Sequence, residues 1–493
     1  MKRIILLALG FIFVLASCTK LEEEVYDKIP GDKYPENEAQ VANLTVNAYA
    51  QMRTYADDEG WWFLAQLMTG DLVCGPTRGA DWFDGGKWVN MHRHEWTNDD
   101  EGVNRMWDHF YRGVTTTNQT LDMLKDLEEN ETVLAKIKEM EVLRSFYYYL
   151  IIDNYGDAPY LTSAKNAPEK PFKEPREAIY DSLVSTITAA LPSLKAIDNK
   201  YLVTRYMAYA LLAKLYINAE VYTGTPEWEK AEMYIDSVLS GPYNLSANVS
   251  DPFKTNNENN SEIIFSIPYD EDNFQGFRLH MRTLHYQHNL KYDMPVGPWN
   301  GFAIVPTHFE NYSDDDLRKE AYNIYGPQFA SDGSVIYDGT TNEPLDIDPI
   351  LPALSMSAGD FTAEEIRTTG ARIGKYEIAM GAKENLSNDL PLFRLTDFWL
   401  MKAEVLIRQG QNGDDWINDI RDRAGLGSVS GADLDILLEE RGLELYCEGH
   451  RRQDLIRYGK FGNAWWEKAA SGPERELFPI PKWAVDANPN LGL

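Results

Sequence analysis

At 493 residues and 44% hydrophobic side chains, the chain is long enough for one large core or two to three domains. Its 77 acidic against 47 basic side chains leave a formal charge of -30, a field that repels phosphate-rich partners and argues against nucleic-acid binding. Only three cysteines occur, with no CxxC spacing, so neither a disulfide framework nor a cysteine metal site is expected, and Cys74 and Cys447 read as buried thiols.

Lys2 and Arg3 stand before an apolar run from Ile4 to Leu15. That run is shorter than the roughly 20 residues a membrane span needs, so it reads as a removable secretory signal. Its exit, Leu15-Ala16-Ser17-Cys18, resembles the bacterial lipobox, in which small residues admit the peptidase and the cysteine thiol receives a diacylglycerol. Residues 1–17 are therefore expected to be a lipoprotein signal peptide and Cys18 the lipidation site. A second acyl chain would turn marginal membrane affinity into stable anchoring. Residues 18–36, with three consecutive glutamates and two prolines, read as a lipidated tether, and 37–493 as a single domain.

Helical signals dominate the chain beyond the tether. From Thr204 to Tyr222, the apolar Tyr206, Ala210, Ala213, Ile217 and Val221 recur at steps of three and four, which predicts one helix with a single buried face. Gly224 ends it, and Thr225-Pro226 reads as a cap and first-turn proline opening the next helix, with Gly241 as its stop. Similar helical hairpins are predicted at 103–127 with 135–155, at 176–191 leading into Thr204, and at 390–409 with 414–424, a stacked, repeat-like array. Between them lie three long stretches without helical period, 56–100, 242–300 and 326–370. Loops this long are functional or disordered, and the aromatic content of the first two favours function.

Longer blocks carry a resemblance. VNRMWDHFYRGVTTTNQTLDML and VLRSFYYYLIIDNYGDAPYL in the first half, then NDLPLFRLTDFWLMKAEVLIRQG, LLEERGLELYCEGHRRQDLIRYGKF and ELFPIPKWAVDANPNL in the second, are similar to the SusD/RagB-like family. The resemblance implies a mainly α fold: four tetratricopeptide-like helix pairs packed against an irregular, loop-rich region with a few short strands. It also implies a surface-exposed, lipid-anchored outer-membrane lipoprotein that captures oligosaccharides and delivers them to a SusC-like TonB-dependent transporter, without catalysing a reaction. KLEEE, residues 20–24, looks like the acidic export signal of such lipoproteins. The alternatives are a transporter lid with little glycan affinity of its own, or a peptide-binding counterpart.

The residue chemistry agrees with a binder. No GxSxG, GxxxxGK[ST] or HExxH motif occurs, and carboxylate pairs such as Glu439-Glu440 read as solvated or scaffold charge rather than a glycosidase pair. His92 and His94 share one loop, and His280, His285 and His288 another, but a shared loop does not make ligands converge, so they read as surface or hydrogen-bonding histidines, with no metal or cofactor expected. Sugar recognition asks for flat rings against C–H faces and a few placed polar groups. The first long loop offers Asp71, Trp82, Phe83 and Trp88, which either face a sugar or plug the side of the helical array. The second offers His285, Tyr286, Tyr292 and Trp299 with Asn300, where Trp299 either faces ligand or shapes a turn. Arg372 either forks onto vicinal hydroxyls or forms a scaffold salt bridge. Trp61 and Trp62 read as core, as do Trp96, Trp107, Tyr111, Trp399 and Trp483.

Overall fold

The structure, a computed structural model, describes residues 38–492; the signal, Cys18 and the tether lie outside the described residues. Residues 45–493 form one compact unit; of residues 1–44, only the start of a helix, Glu38–Ala50, is described. The fold is mainly helical with a few short strands.

Helices Glu101–Lys125 and Glu131–Tyr155 form the first hairpin. In the former, Val103, Met106, Phe110, Val114, Leu121 and Leu124 fall at helical steps and are buried, the one-sided face of an amphipathic helix. The latter is buried along its whole second half, Val142 to Tyr155, a mostly apolar and aromatic run whose polar Arg144, Asp153 and Asn154 are hydrogen-bonded to Asn118, Tyr222 and Gln66. The two backbones approach closely at Gly113, where a Cβ would stand 2.5 Å from Tyr147 Cε1. Asn130 caps the second helix, accepting from the Val133 N–H at 3.0 Å. Arg176–Ala190, Arg205–Ile217, Trp228–Leu239, Leu395–Arg408 and Asp414–Arg423 then pack in succession, completing the array.

Two local expectations need correction. The helix opened by Thr204, whose hydroxyl accepts from Met207 N at 3.1 Å, pauses at Asn218 and resumes as Ala219–Thr223. It is buried on more than one face, since Met207, Leu211, Leu212 and Leu215 are as covered as Ala210 and Ala213. Gly224 does close it in the left-handed region, at φ 77°, but Thr225 does not cap the next helix: Glu227 stands at that position and the first helical residue is Trp228.

The second half is held by charge as much as by apolar packing. Arg394 is buried among three glutamates, donating to Glu448 at 2.7 and 2.8 Å, Glu262 at 2.9 Å and Glu444 at 3.2 Å. Lys375 joins Glu448 at 2.7 Å and Arg423 joins Glu444 at 2.6 Å. Glu440, Arg441, Glu444, Glu448, Arg451 and Asp454, from EERGLELYCEGHRRQD, all make scaffold ion pairs. Cys74 and Cys447 are free and buried.

Short strand pairs tie the loops to this frame. Val73–Cys74 runs antiparallel to Ala303–Ile304, Thr77–Arg78 parallel to Ser355–Met356, and Ile263–Ile267 antiparallel to Leu390–Arg394. The first two bring the three long loops to one place.

Candidate glycan-binding site

The loop after Thr77–Arg78 turns sharply. Trp82 at φ 59° and Asp84 at φ 43° occupy the left-handed region that side chains rarely adopt, followed by Gly85 and Gly86, which adopt it freely. The helix Lys87–Arg93 begins there and points Trp88 inward. Trp88 is 1% exposed, stacked on Trp61 at 4.8 Å between centroids, with Phe302 edge-on at 4.9 Å. Its Nε1 donates to Asp84 at 2.8 Å. Trp82 is also buried, tilted against Phe302 and Trp88, and Gly301 sits so close that a Cβ would meet the indole at 2.1 Å. Of the two readings for Trp82 and Trp88, their positions fit the plug.

Trp82 nevertheless shapes the surface, because its Nε1 donates to the Trp299 carbonyl at 2.7 Å. Trp299 is further fixed by its own N–H, which donates to Met281 O at 2.7 Å, and by Gly301 N to Arg282 O at 2.8 Å. The ring is half-buried, with the Arg282 guanidinium 5.4 Å and the Arg278 guanidinium 5.7 Å from its centroid. Both arginines are held by the Asp57-Asp58 pair: Arg282 donates to Asp57 at 2.8 Å, and Arg278 to Asp57 and to Asp58 at 3.0 Å. Burial and the neighbouring Asp58 raise the Asp57 carboxyl, whereas Asp58, against its burial, is lowered to about 2 by its bond to Asp57 and by the two guanidiniums.

Beside Trp299 opens a cleft of about 530 Å³, lined by Arg53, Gln275, Arg278, Val296, Lys383 and Asn385 among others. Of its five acids, only the exposed Glu59 makes no ion pair among the described residues: Glu384 pairs with Arg278 at 3.1 Å, Glu271 and Asp272 with Lys383 at 3.0 and 2.8 Å, and Asp57 with Arg282 at 2.8 Å. On the other side, Gly297 packs against the Tyr286 carbonyl, and the half-buried Tyr286 donates its hydroxyl to Asp81. Burial and that carboxylate push the phenol up to about 12, so it stays protonated near neutrality. Phe83, two residues from Asp81, is 61% exposed. Phe83, Tyr286 and Trp299 are thus rings of these loops that keep surface open to solvent around the aromatic plug.

The remaining expected residues serve the frame. Asp71 forms a forked pair with Arg451 at 2.7 and 2.9 Å; burial acts to raise its carboxyl, and Arg451 overrides it. Arg372 is fully buried and makes neither a carboxylate pair nor an open fork: it donates to the carbonyls of Thr369, Gly370 and Arg367 and to Asn300 Oδ1 at 2.8 Å. Tyr292 is half-buried and Asn300 fully buried. The histidines are buried rather than on the surface: His92 reaches Trp466 O and His280 reaches Lys383 O, each at 2.8 Å, and His285 reaches Asp338 at 3.1 Å. No group of side chains among the described residues converges as metal ligands do. Trp61, Trp62, Trp96 and Trp107 are buried and Tyr111 and Trp399 half-buried. Trp483 is an exception, 49% exposed, because its short helix Lys482–Ala487 buries only Ala484. Sequence reasoning missed the cleft; its one local signal was Arg278 and Arg282, four apart beside an aromatic loop.

Residues 22–217 match the family described as "Starch-binding associating with outer membrane", and residues 261–473 match the SusD family. The "Starch-binding protein SusD" of Bacteroides thetaiotaomicron is 25% identical over 434 residues, covering 77% of this chain and 75% of that protein. "SusD-like protein P25" of Formosa agariphila is 23% identical over 79% of this chain and 78% of its own. Among solved structures, surface glycan-binding protein A from Bacteroides thetaiotaomicron aligns with a TM-score of 0.74 at 21% identity, over 92% of this chain and 98% of that one. A SusD superfamily protein from Parabacteroides distasonis also gives 0.74, at 19% identity, over 94% of this chain and 98% of that one. With its helical array, its loop-rich second half and both halves matched in order, the chain belongs to the SusD/RagB-like family of outer-membrane-associated glycan-binding proteins.

Proposed function

We propose that the protein captures oligosaccharides at the cell surface, without cleaving them, and delivers them to a partner SusC-like TonB-dependent transporter. The observation that carries the reading is that Phe83, Tyr286 and Trp299 keep ring surface open to solvent, with Trp299 next to Arg278 of a polar cleft of about 530 Å³. Flat rings receive sugar C–H faces at low conformational cost, while Gln275, Asn385 and Arg53 in the cleft supply donors and acceptors for hydroxyls. Trp82 and Trp88 act as the pedestal beneath those rings, and Asp71 and Arg372 as ties in the frame. Binding without hydrolysis is supported by the carboxylates of the cleft: Asp57, Glu271, Asp272 and Glu384 are each committed to an arginine or lysine, and Glu59 alone does not make an acid–base pair.

A relative named for starch binding and a solved structure described in complex with laminarihexaose support a glucan as first candidate. Anchoring rests on the Cys18 motif, and no helix among the described residues is long and apolar enough to cross a membrane. Calorimetric titration of starch, laminarin, xylan and mannan is expected to find one that binds, with Trp299→Ala and Phe83→Ala each weakening it about tenfold or less. Retained affinity in both variants sinks the site. Affinity seen only in the transporter complex would replace capture with the lid role.

A further inference from the structure

We propose that Tyr337 supplies an outlying sugar-stacking position next to Tyr286, so that the protein grips a longer stretch of glycan than Phe83, Tyr286 and Trp299 alone could hold. The inference rests on the glycan-binding reading of the aromatic row and extends its site into the third long loop, whose composition gave no reason to expect recognition.

The Tyr337 ring is 52% exposed, yet the chain carrying it is anchored from below. Tyr337 bridges to Pro344 across its hairpin. The next residue, Asp338, is 1% exposed, and its carboxylate closes the turn by accepting from the N–H groups of Thr340 at 3.0 Å and Thr341 at 2.8 Å. The same carboxylate takes Arg367 at 2.7 and 2.8 Å and lies 3.1 Å from His285 Nε2. Those two partners are the groups that flank Tyr286: the Arg367 guanidinium lies 4.6 Å over its ring, and the His285 ring is 5.6 Å away. Gly339 then passes so close to Gln287 that a Cβ would stand 2.7 Å from its Nε2.

One buried carboxylate therefore fixes the Tyr337 turn and the underside of Tyr286 in a single arrangement. Burying an ionised group is costly unless it is fully paired, and here it is paired on several sides beneath a large ring left facing water. Such a ring loses little freedom on binding because its backbone is already ordered. A saccharide long enough to run past Tyr286 toward Gln287 meets Tyr337 next.

The test is calorimetric titration of the full chain with malto- and laminari-oligosaccharides, triose and hexaose of each. In whichever series binds, Tyr337→Ala is expected to weaken the hexaose about three- to tenfold and leave the triose unchanged, with Tyr337→Phe close to wild type. Asp338→Asn, which loosens the turn and the support beneath Tyr286 together, is expected to weaken hexaose and triose alike. Wild-type binding that Tyr337→Ala leaves intact, or that it weakens equally for triose and hexaose, overturns this inference and leaves the glycan reading standing. A wild-type chain that binds neither series overturns this inference, and one that also binds neither xylan nor mannan overturns the glycan reading with it.

Discussion

Arginine is handled differently in two regions of the molecule. Around Arg394 and Arg441, guanidiniums are sealed among carboxylates: Arg394 meets three glutamates, and Arg441 pairs with Asp397 and Asp454 at 2.8 Å. Around the aromatic row, Arg78 and Arg372 spend donors on backbone carbonyls, while Arg278, Arg282 and Arg367 each pair with a carboxylate and also lie near ring faces. The first arrangement cross-links helices and strands distant in sequence and leaves nothing for a ligand. The second fixes loops by their main chain, so that ring faces and a few polar edges stay available at the rim. Cross-linked charge maintains shape; charge spread over carbonyls and π-faces maintains a surface.

Breaking the sealed region should have the largest effect. Arg394→Ala leaves Glu262, Glu444 and Glu448 buried with fewer counter-charges, and is expected to cost about 3–5 kcal/mol in chemical denaturation. A loss under about 1 kcal/mol would mean that the cluster is solvated and the contrast false.

Acid should act on both regions, because His450, 4.0 Å from Asp397 in the sealed region, is pushed down by burial to about 4 much as His280 is. Burial pushes His280, beside Arg278 and Arg282, down to about 4. The unfolded chain takes up this proton below its ordinary pKa of about 6.5, whereas the folded chain refuses it until about 4. Stability present above about pH 6.5 is thus lost as pH falls toward 4, at up to about 1.4 kcal/mol per pH unit, and His280→Gln should flatten the slope by that amount. In the sealed region, Glu448 is raised by burial but brought down overall to about 2 by Arg394 and Lys375. Its contribution is complete above the unfolded value near 4.3 and fades only as pH falls from there through about 2. Denaturation curves at several pH values in wild type and His280→Gln decide this, and an unchanged slope contradicts it.

The smallest of these effects probes the join. Gly301→Ala drives a methyl into the Trp82 indole and is expected to cost about 1–3 kcal/mol, with a shift in tryptophan emission that a neutral surface change would not give.

The helical hairpins were legible because their signals are local: apolar steps of three and four, glycine stops and buried aromatic runs all lie within one segment. The pause at Asn218 and the start at Trp228 were not, since neighbouring helices override weak caps. The loop tryptophans were legible as a group, but which ones stay open was not. Trp82 and Trp88 are covered by Trp61 and Phe302, and Phe302 comes from far along the chain. Arg372 shows the same limit, because partners that are main-chain carbonyls leave no mark in residue identity. The cleft was invisible for a related reason, being assembled from residues 53–59, 271–278, 295–296 and 383–385.

The bond from Trp82 to the Trp299 carbonyl spans 217 positions of chain. Contacts of such separation close late, after the entropy of a long loop has been overcome. A chain folded only through its first helical array would have helices but no support for the Trp299 ring. The setting of the Trp299 ring therefore depends on distant parts of the chain being folded together.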